Sequence, residues 1–183
     1  MNRSLLFGLL ALAACNPWKV ISRVDENPFA ATKRIYVLPL DWTKVIIDGD
    51  AESDWDQTND EGMKREWPLD KQAATQEFQS GLVSEINARL QVVPIPAVIP
   101  GTAPLLLRSR VVELKTGGIR PLFVTIRSQI VNEHGTITDE ISNQVKVSHH
   151  GFRVGQFLKR LRQGSYECGG NVGVYLVRRA GVD

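Results

Sequence analysis

Leu122-Phe123-Val124-Thr125-Ile126-Arg127-Ser128-Gln129-Ile130 alternates with a period of two. Leu122, Val124, Ile126, Ser128 and Ile130 share one face, as a half-buried strand requires. Ile137, Ile141, Val145 and Val147 repeat the pattern downstream, opposite Thr138, Glu140, Ser142, Gln144 and Lys146. Asn132-Glu133-His134-Gly135 is a hairpin connection between them. Upstream, Leu105 to Leu114 mixes apolar and basic residues, and Lys115-Thr116-Gly117-Gly118 has turn composition. These three segments predict an antiparallel meander with one wet face.

Working outward, Arg34-Ile35-Tyr36-Val37-Leu38-Pro39-Leu40 is apolar on both faces. That predicts a central strand covered on two sides and ending near Pro39, which cannot donate to a ladder. Ala74, Phe78, Leu82, Ile86 and Leu90 recur every four residues and predict a helix from about Lys71 to Leu90, capped by Asp70. Val92 and Val93 start a short strand that Pro94, Pro96 and Pro100 convert to an extended loop. From Phe152 to Arg179 the pattern is helical, with Leu158, Leu161, Cys168, Val172 and Leu176 on one stripe. Gly164, Gly169, Gly170 and Gly173 each cost about 1 kcal/mol against alanine, so a break near Gly164 is expected. A strand at Val172 to Val177 stays open as an alternative. The fold class is α/β (α+β): one mixed sheet holding the meander, with helices packed on one side.

Residues 41–70 form an acidic insertion, expected as a long functional loop. Asp48, Asp50, Glu52, Asp54, Asp56, Asp60 and Glu61 lie close together, with Trp42, Trp55 and Trp67 nearby. Asp48, Asp50, Asp54 and Asp56 offer hard oxygen ligands of the kind Ca²⁺ takes. In a calcium-loop frame starting at Asp48, however, Ser53 stands at the glycine place and Asn59 at the closing glutamate. A solvated loop is the default, and no metal or other cofactor is expected. The sharper reading is a docking surface: Trp42, Trp55 and Trp67 supply anchor area, while Asp54 and Asp56 steer a basic partner.

No catalytic constellation is legible. His149 and His150 are adjacent and would point to opposite strand faces, His134 sits at a hairpin tip, and no zinc spacing occurs. Lys115-Thr116-Gly117 matches the triplet of penicillin-recognising enzymes, but the chain has no S-x-x-K. Gly169, Gly170 and Gly173 do not complete a dinucleotide fingerprint. Arg153, Lys159, Arg160, Arg162, Arg178 and Arg179 gather late, suited to a solvated helix face, to anionic headgroups, or to self-association with the acidic loop.

The 43% hydrophobic and 23% charged residues are globular values. At a formal net charge of +2 there is no electrostatic footprint for nucleic acid. The N-terminus is different in kind. Arg3 precedes the apolar run Leu5-Leu6-Phe7-Gly8-Leu9-Leu10-Ala11, which closes on Leu12-Ala13-Ala14-Cys15. A charged start, a short apolar core and small residues make a secretory signal over residues 1–14, too short to span a bilayer. Leu12-Ala13-Ala14-Cys15 resembles the lipobox of bacterial lipoproteins, which implies a lipid-anchored Cys15 as the mature N-terminus. Asn16 is not the aspartate associated with inner-membrane retention, which places the anchor on the periplasmic face of the outer membrane. Residues 15–33 have two prolines and no clear period, and are expected as a tether to a domain spanning 34–183. With Cys15 lipidated, Cys168 has no partner in the chain. Burial suits such a thiol, and an intermolecular disulfide is the alternative.

The element order also resembles envelope lipoproteins that share an α/β domain with the N-terminal part of the Tol-system protein TolB. The curli-secretion lipoprotein and lipoprotein activators of penicillin-binding proteins are in that group. The likeness rests on Ile35 to Leu40, Leu105 to Val111 and Ile130 to Ile137. It implies a non-catalytic accessory or scaffold subunit of an envelope assembly or secretion machine, with a periplasmic or outer-membrane protein as partner. A regulator of a peptidoglycan synthase, and a calcium- or small-ligand-binding lipoprotein, are the alternatives.

Overall fold

A computed structural model describes residues 17–58, 61–86, 90–97, 104–116, 121–148 and 156–181. Cys15, His149, His150, Arg153 and the glycines of the Lys115 turn lie outside these residues. The meander forms the middle of the sheet: β6 (Leu105–Lys115), β7 (Leu122–Asn132) and β8 (Ile137–Val147) pair antiparallel. Leu122, Val124, Ile126, Ser128 and Ile130 are all buried on one face, as their alternation requires.

In β8 the buried set is Thr138, Asp139, Ile141, Asn143, Val145 and Val147, and Ile137 is exposed. A register shift opposite Ile130 and Val131 turns the start of the strand over, which corrects the placement of Ile137 and Thr138. A slip of one residue exchanges the two faces.

On the other side of β6 run two parallel partners. β2 (Arg34–Val37) pairs with its first half, Asp41 bridges to Arg110, and β3 (Ile46–Ile47) pairs with its end. β2 also pairs in parallel with β5 (Gln91–Pro94), whose Pro94 is tolerated because this strand is the sheet edge. β2 ends before Pro39, as expected, and buries Ile35 and Val37; Tyr36, facing the other way, is half-buried.

The opposite edge was not anticipated. Within residues 15–33, Trp18–Arg23 form β1, antiparallel to β8, and the sheet order is β1-β8-β7-β6-β2-β5. Residues 18–23 therefore belong to the sheet, because Trp18 packs into the core and draws the chain onto it.

The insertion is structured too, correcting the loop reading. It holds β3, β4 (Asp50–Ala51), α1 (Glu52–Thr58) and the start of α2 (Glu61–Ser84). Helix α2 begins well before Lys71 and runs through Pro68, so Asp70 is a buried mid-helix residue and not a cap. The helix stops at Ser84, and Leu90 is buried beyond its end.

α3 (Gln156–Ala180) is continuous, with neither a break at Gly164 nor a strand at 172–177. Three of its glycines allow close packing. A Cβ on Gly164 would stand 2.6 Å from a methyl of Val124 in the sheet. On another side of α3, Cβ atoms on Gly169 and Gly173 would stand 2.0 Å and 2.6 Å from carbonyl oxygens of α2. Reciprocally, one on Gly81 of α2 would meet the Tyr166 carbonyl at 2.0 Å. The propensity lost at these positions is offset by direct contact between helix backbones. Leu161, Cys168, Val172 and Leu176 of α3 lie on the sheet core, and α2 packs on α3 through Ala74, Phe78 and Leu82. Cys168 is fully buried, which corrects the intermolecular-disulfide alternative.

Candidate functional site

Three polar constellations stand on this scaffold. The first is the acidic insertion. Ile46-Ile47-Asp48-Gly49-Asp50-Ala51 is a tight hairpin, with Asp48 at φ 54° and Gly49 at φ 100°. Two positive φ values in an Asp-Gly pair are what a two-residue hairpin turn demands. That dipeptide was the overlooked signal. The Asp48 carboxylate accepts from the Thr116 N–H at 2.6 Å and from its hydroxyl, tying the hairpin to the end of β6. Asp50 lies in β4, and Asp54 and Asp56 in α1. Among the described residues, no three His, Cys, Asp or Glu side chains are grouped as a metal site needs.

The tryptophans behind this hairpin face inward. Trp67 is 5% exposed, and Trp42 and Trp55 pack on the core half-buried. Trp42 meets Trp67 edge-on with centroids 5.7 Å apart; Trp55 lies 5.3 Å from Trp67, and Phe157 of α3 closes the cluster at 6.2 Å. Glu52 accepts from the Trp67 indole at 2.7 Å and from the Lys71 ammonium at 2.6 Å, while the Trp42 indole donates to Thr75 at 3.2 Å. Trp67 is thus a core residue and not an exposed anchor, while Trp42 and Trp55 are half-buried against it. Their apolar area holds α1 and the hairpin to α2 and α3, since an aromatic ring gains more by burial than from water.

The second constellation is on the sheet face that no helix among the described residues covers. Arg108 and Arg110 of β6 and Arg127 and Gln129 of β7 line a groove of about 190 Å³ with Asp41 at its margin. Arg110 and Arg127 are direct cross-strand partners, as are Arg108 and Gln129. Like charges directly opposite repel. Glu140 relieves part of this, 3.3 Å from the Arg127 Nε and accepting from Gln129 at 3.1 Å. The Asp41 carboxylate is turned to the Thr43 N–H at 2.8 Å. A guanidinium fork matches carboxylate or phosphate oxygens in geometry. Arg-x-Arg in one strand opposite Arg-x-Gln in the next carried this signal in the sequence.

The third is buried between β8 and α3. Asp139, 1% exposed, pairs with the Arg179 Nε at 3.2 Å, and the same guanidinium donates to the carbonyls of Val24 and Glu26, each at 2.7 Å. Burial raises the Asp139 carboxyl above the usual range, against the opposing pull of Arg179. Tyr175 beside it is pushed up to about 12, by burial first and then by the Asp139 charge. Tyr175 packs edge-on against Trp18 at 5.8 Å, and Arg178 stands 5.2 Å over the Trp18 ring. This cluster clamps the β1–β2 connection onto the end of α3. Elsewhere, Asp70 is raised chiefly by burial, with Arg162 opposing and Glu66 reinforcing. The Cys168 thiol is pushed far up by burial, so it is held as the inert thiol.

No family model matches this chain, and no curated protein matches it. Solved structures do. Protein XCC0632 from Xanthomonas campestris, of family DUF330, superposes with a TM-score of 0.52 at 7% identity, over 81% of this chain and 85% of that one. A PelC dodecamer from Paraburkholderia phytofirmans gives 0.46 at 11% identity, over 84% of this chain and 96% of that one. The Xanthomonas protein shares the α/β architecture, and at this identity the likeness shows the fold alone.

Proposed function

We propose that this chain is a lipid-anchored envelope protein, held by Cys15 at the periplasmic face of the outer membrane, and that it acts as a non-catalytic accessory subunit. The observation that carries this reading is Leu12-Ala13-Ala14-Cys15 standing three residues before Trp18, the first residue of the folded sheet. A signal ending on cysteine needs no spanning helix, and among the described residues no helix is long and apolar enough to cross a membrane. Two or more acyl chains suffice for stable attachment. The working surface is the open arginine-bearing sheet face, which suits an acidic partner segment. The acidic hairpin takes the smaller part, because Trp67 behind it is committed to the core.

The test has two arms. Mass spectrometry of the protein from membranes should show an acylated Cys15 as N-terminus, and Cys15→Ser should leave the precursor unacylated. A photo-crosslinking residue at Gln129 should then capture an envelope protein in intact cells, whereas one at Val83 on α2 should not. An intact Met1 on unacylated wild-type protein overturns the anchor. Identical capture from both positions overturns the assignment of the surface.

A further inference from the structure

Edge strand β1 breaks the habit of the remaining surface. Among the described residues, large apolar side chains are exposed at few places, yet Val20, Ile21 and Val24 are 44%, 45% and 39% exposed within one short stretch. Three partly exposed apolar side chains within five residues of one sheet edge are a candidate contact surface. Strand addition by another chain is the usual hazard at an edge, and this edge is guarded against it. The register to β8 shifts between Val20 and Ser22, and Lys19 and Arg23 are exposed along the strand. A bulge and edge cations are the devices that block edge-to-edge pairing.

The occupant is constrained from the other side by chain length. Cys15 lies three residues before Trp18, and three extended residues reach about 10 Å. Whatever surface holds Cys15 is therefore within about 10 Å of the start of β1. Cations surround the apolar residues on this side: Lys19 and Arg23 in the strand, and Arg178 over the Trp18 ring. Asp25 and Glu26 follow Val24 and mark where the cationic stretch ends. Apolar side chains flanked by Lys and Arg suit the boundary between acyl chains and anionic headgroups.

We propose that β1 lies along the bilayer to which Cys15 is attached, with Val20 and Ile21 entering the headgroup boundary and Lys19 and Arg178 on anionic lipid phosphates. This rests on the lipidated Cys15 proposed above. The two chains of consequence then differ: an acyl anchor alone leaves the domain free to swing, whereas a seated β1 fixes its orientation and holds the arginine face at one height above the membrane.

The experiment uses the full acylated protein in vesicles of phosphatidylethanolamine and phosphatidylglycerol. A nitroxide is placed at Val20→Cys or Ile21→Cys, with Val83→Cys as reference; Cys168 is buried and takes no label. The expected result is an oxygen-to-nickel-chelate collision ratio severalfold higher at positions 20 and 21 than at 83. That excess should shrink when phosphatidylcholine replaces phosphatidylglycerol. Equal ratios on acylated protein overturn the proposal while leaving the anchor intact. Dipolar broadening between labels at position 21 also overturns it, in favour of a second copy on this edge. Unacylated Cys15 by mass spectrometry overturns the anchor and this seating together.

Discussion

Gly169 and Gly170 are neighbours on α3, and substituting alanine at each should change stability in opposite directions. Alanine gains about 1 kcal/mol over glycine in a helix interior. At Gly170 nothing opposes that gain, because the nearest atom to an added Cβ is the Glu85 Cγ at 3.7 Å. Gly170→Ala should stabilise by about 1 kcal/mol. At Gly169 the same Cβ would lie 2.0 Å from the Phe78 carbonyl oxygen and 2.9 Å from the Leu82 nitrogen. Both are backbone atoms of α2, so no rotamer change relieves the clash and the helices must separate. Overpacking of this kind costs about 1–3 kcal/mol, and a backbone clash belongs at the upper end. Net of the propensity gain, Gly169→Ala should destabilise by about 1–2 kcal/mol, leaving the two variants about 2–3 kcal/mol apart. Urea unfolding followed by circular dichroism reads this as midpoints moving apart at constant slope. In thermal scans, each kcal/mol is worth about 2–4 °C for a domain of this size. Equal shifts of the same sign would refute the close helix contact.

Two further outcomes test the polar clusters. Because Asp139 is raised above its unfolded value, its contribution to stability is greatest below the ordinary carboxylate pKa and is lost as pH rises through the folded one; Asp139→Asn should flatten that decline, measured as Tm against pH for both proteins. Trp67→Phe should lose the hydrogen bond to Glu52, about 1 kcal/mol, and Trp67→Ala about 3–5 kcal/mol, with denaturant midpoints as the readout; a neutral alanine variant would show that the ring is not part of the core.

The meander was legible because β7 alternates from Leu122 to Ile130 and β8 from Asp139 to Val147, long enough for the period to exceed the noise. The first turns of α2 were hidden by Pro68 and by acidic residues that read as solvent-facing, although Trp67 among them is buried. α3 was obscured by four glycines whose local cost is real. For Gly164, Gly169 and Gly173 the reason lies on α2 and in the sheet, on elements distant in sequence that no local pattern reaches. β1 was missed because an edge strand buries little: Trp18 enters the core, while Val20 and Ile21 stay exposed and erase the alternation. The candidate site shifted for a similar reason. Tryptophans among carboxylates look alike in sequence whether they face solvent or the core, and only their packing on Phe157 decides.

The pairing of β1 with β8, and of α2 with α3, joins early residues to late ones. Until residues 156–180 exist, Phe78 and Leu82 have no helix to lie on, and the buried faces of β7 and β8 stand open to water. A nascent chain emerging from its N-terminus can close the β6–β7–β8 hairpins early, but it cannot complete a core before its last helix arrives. High separation between contacting residues slows folding. For the exported chain proposed above, such lateness keeps the core incomplete until residues 156–180 have been made.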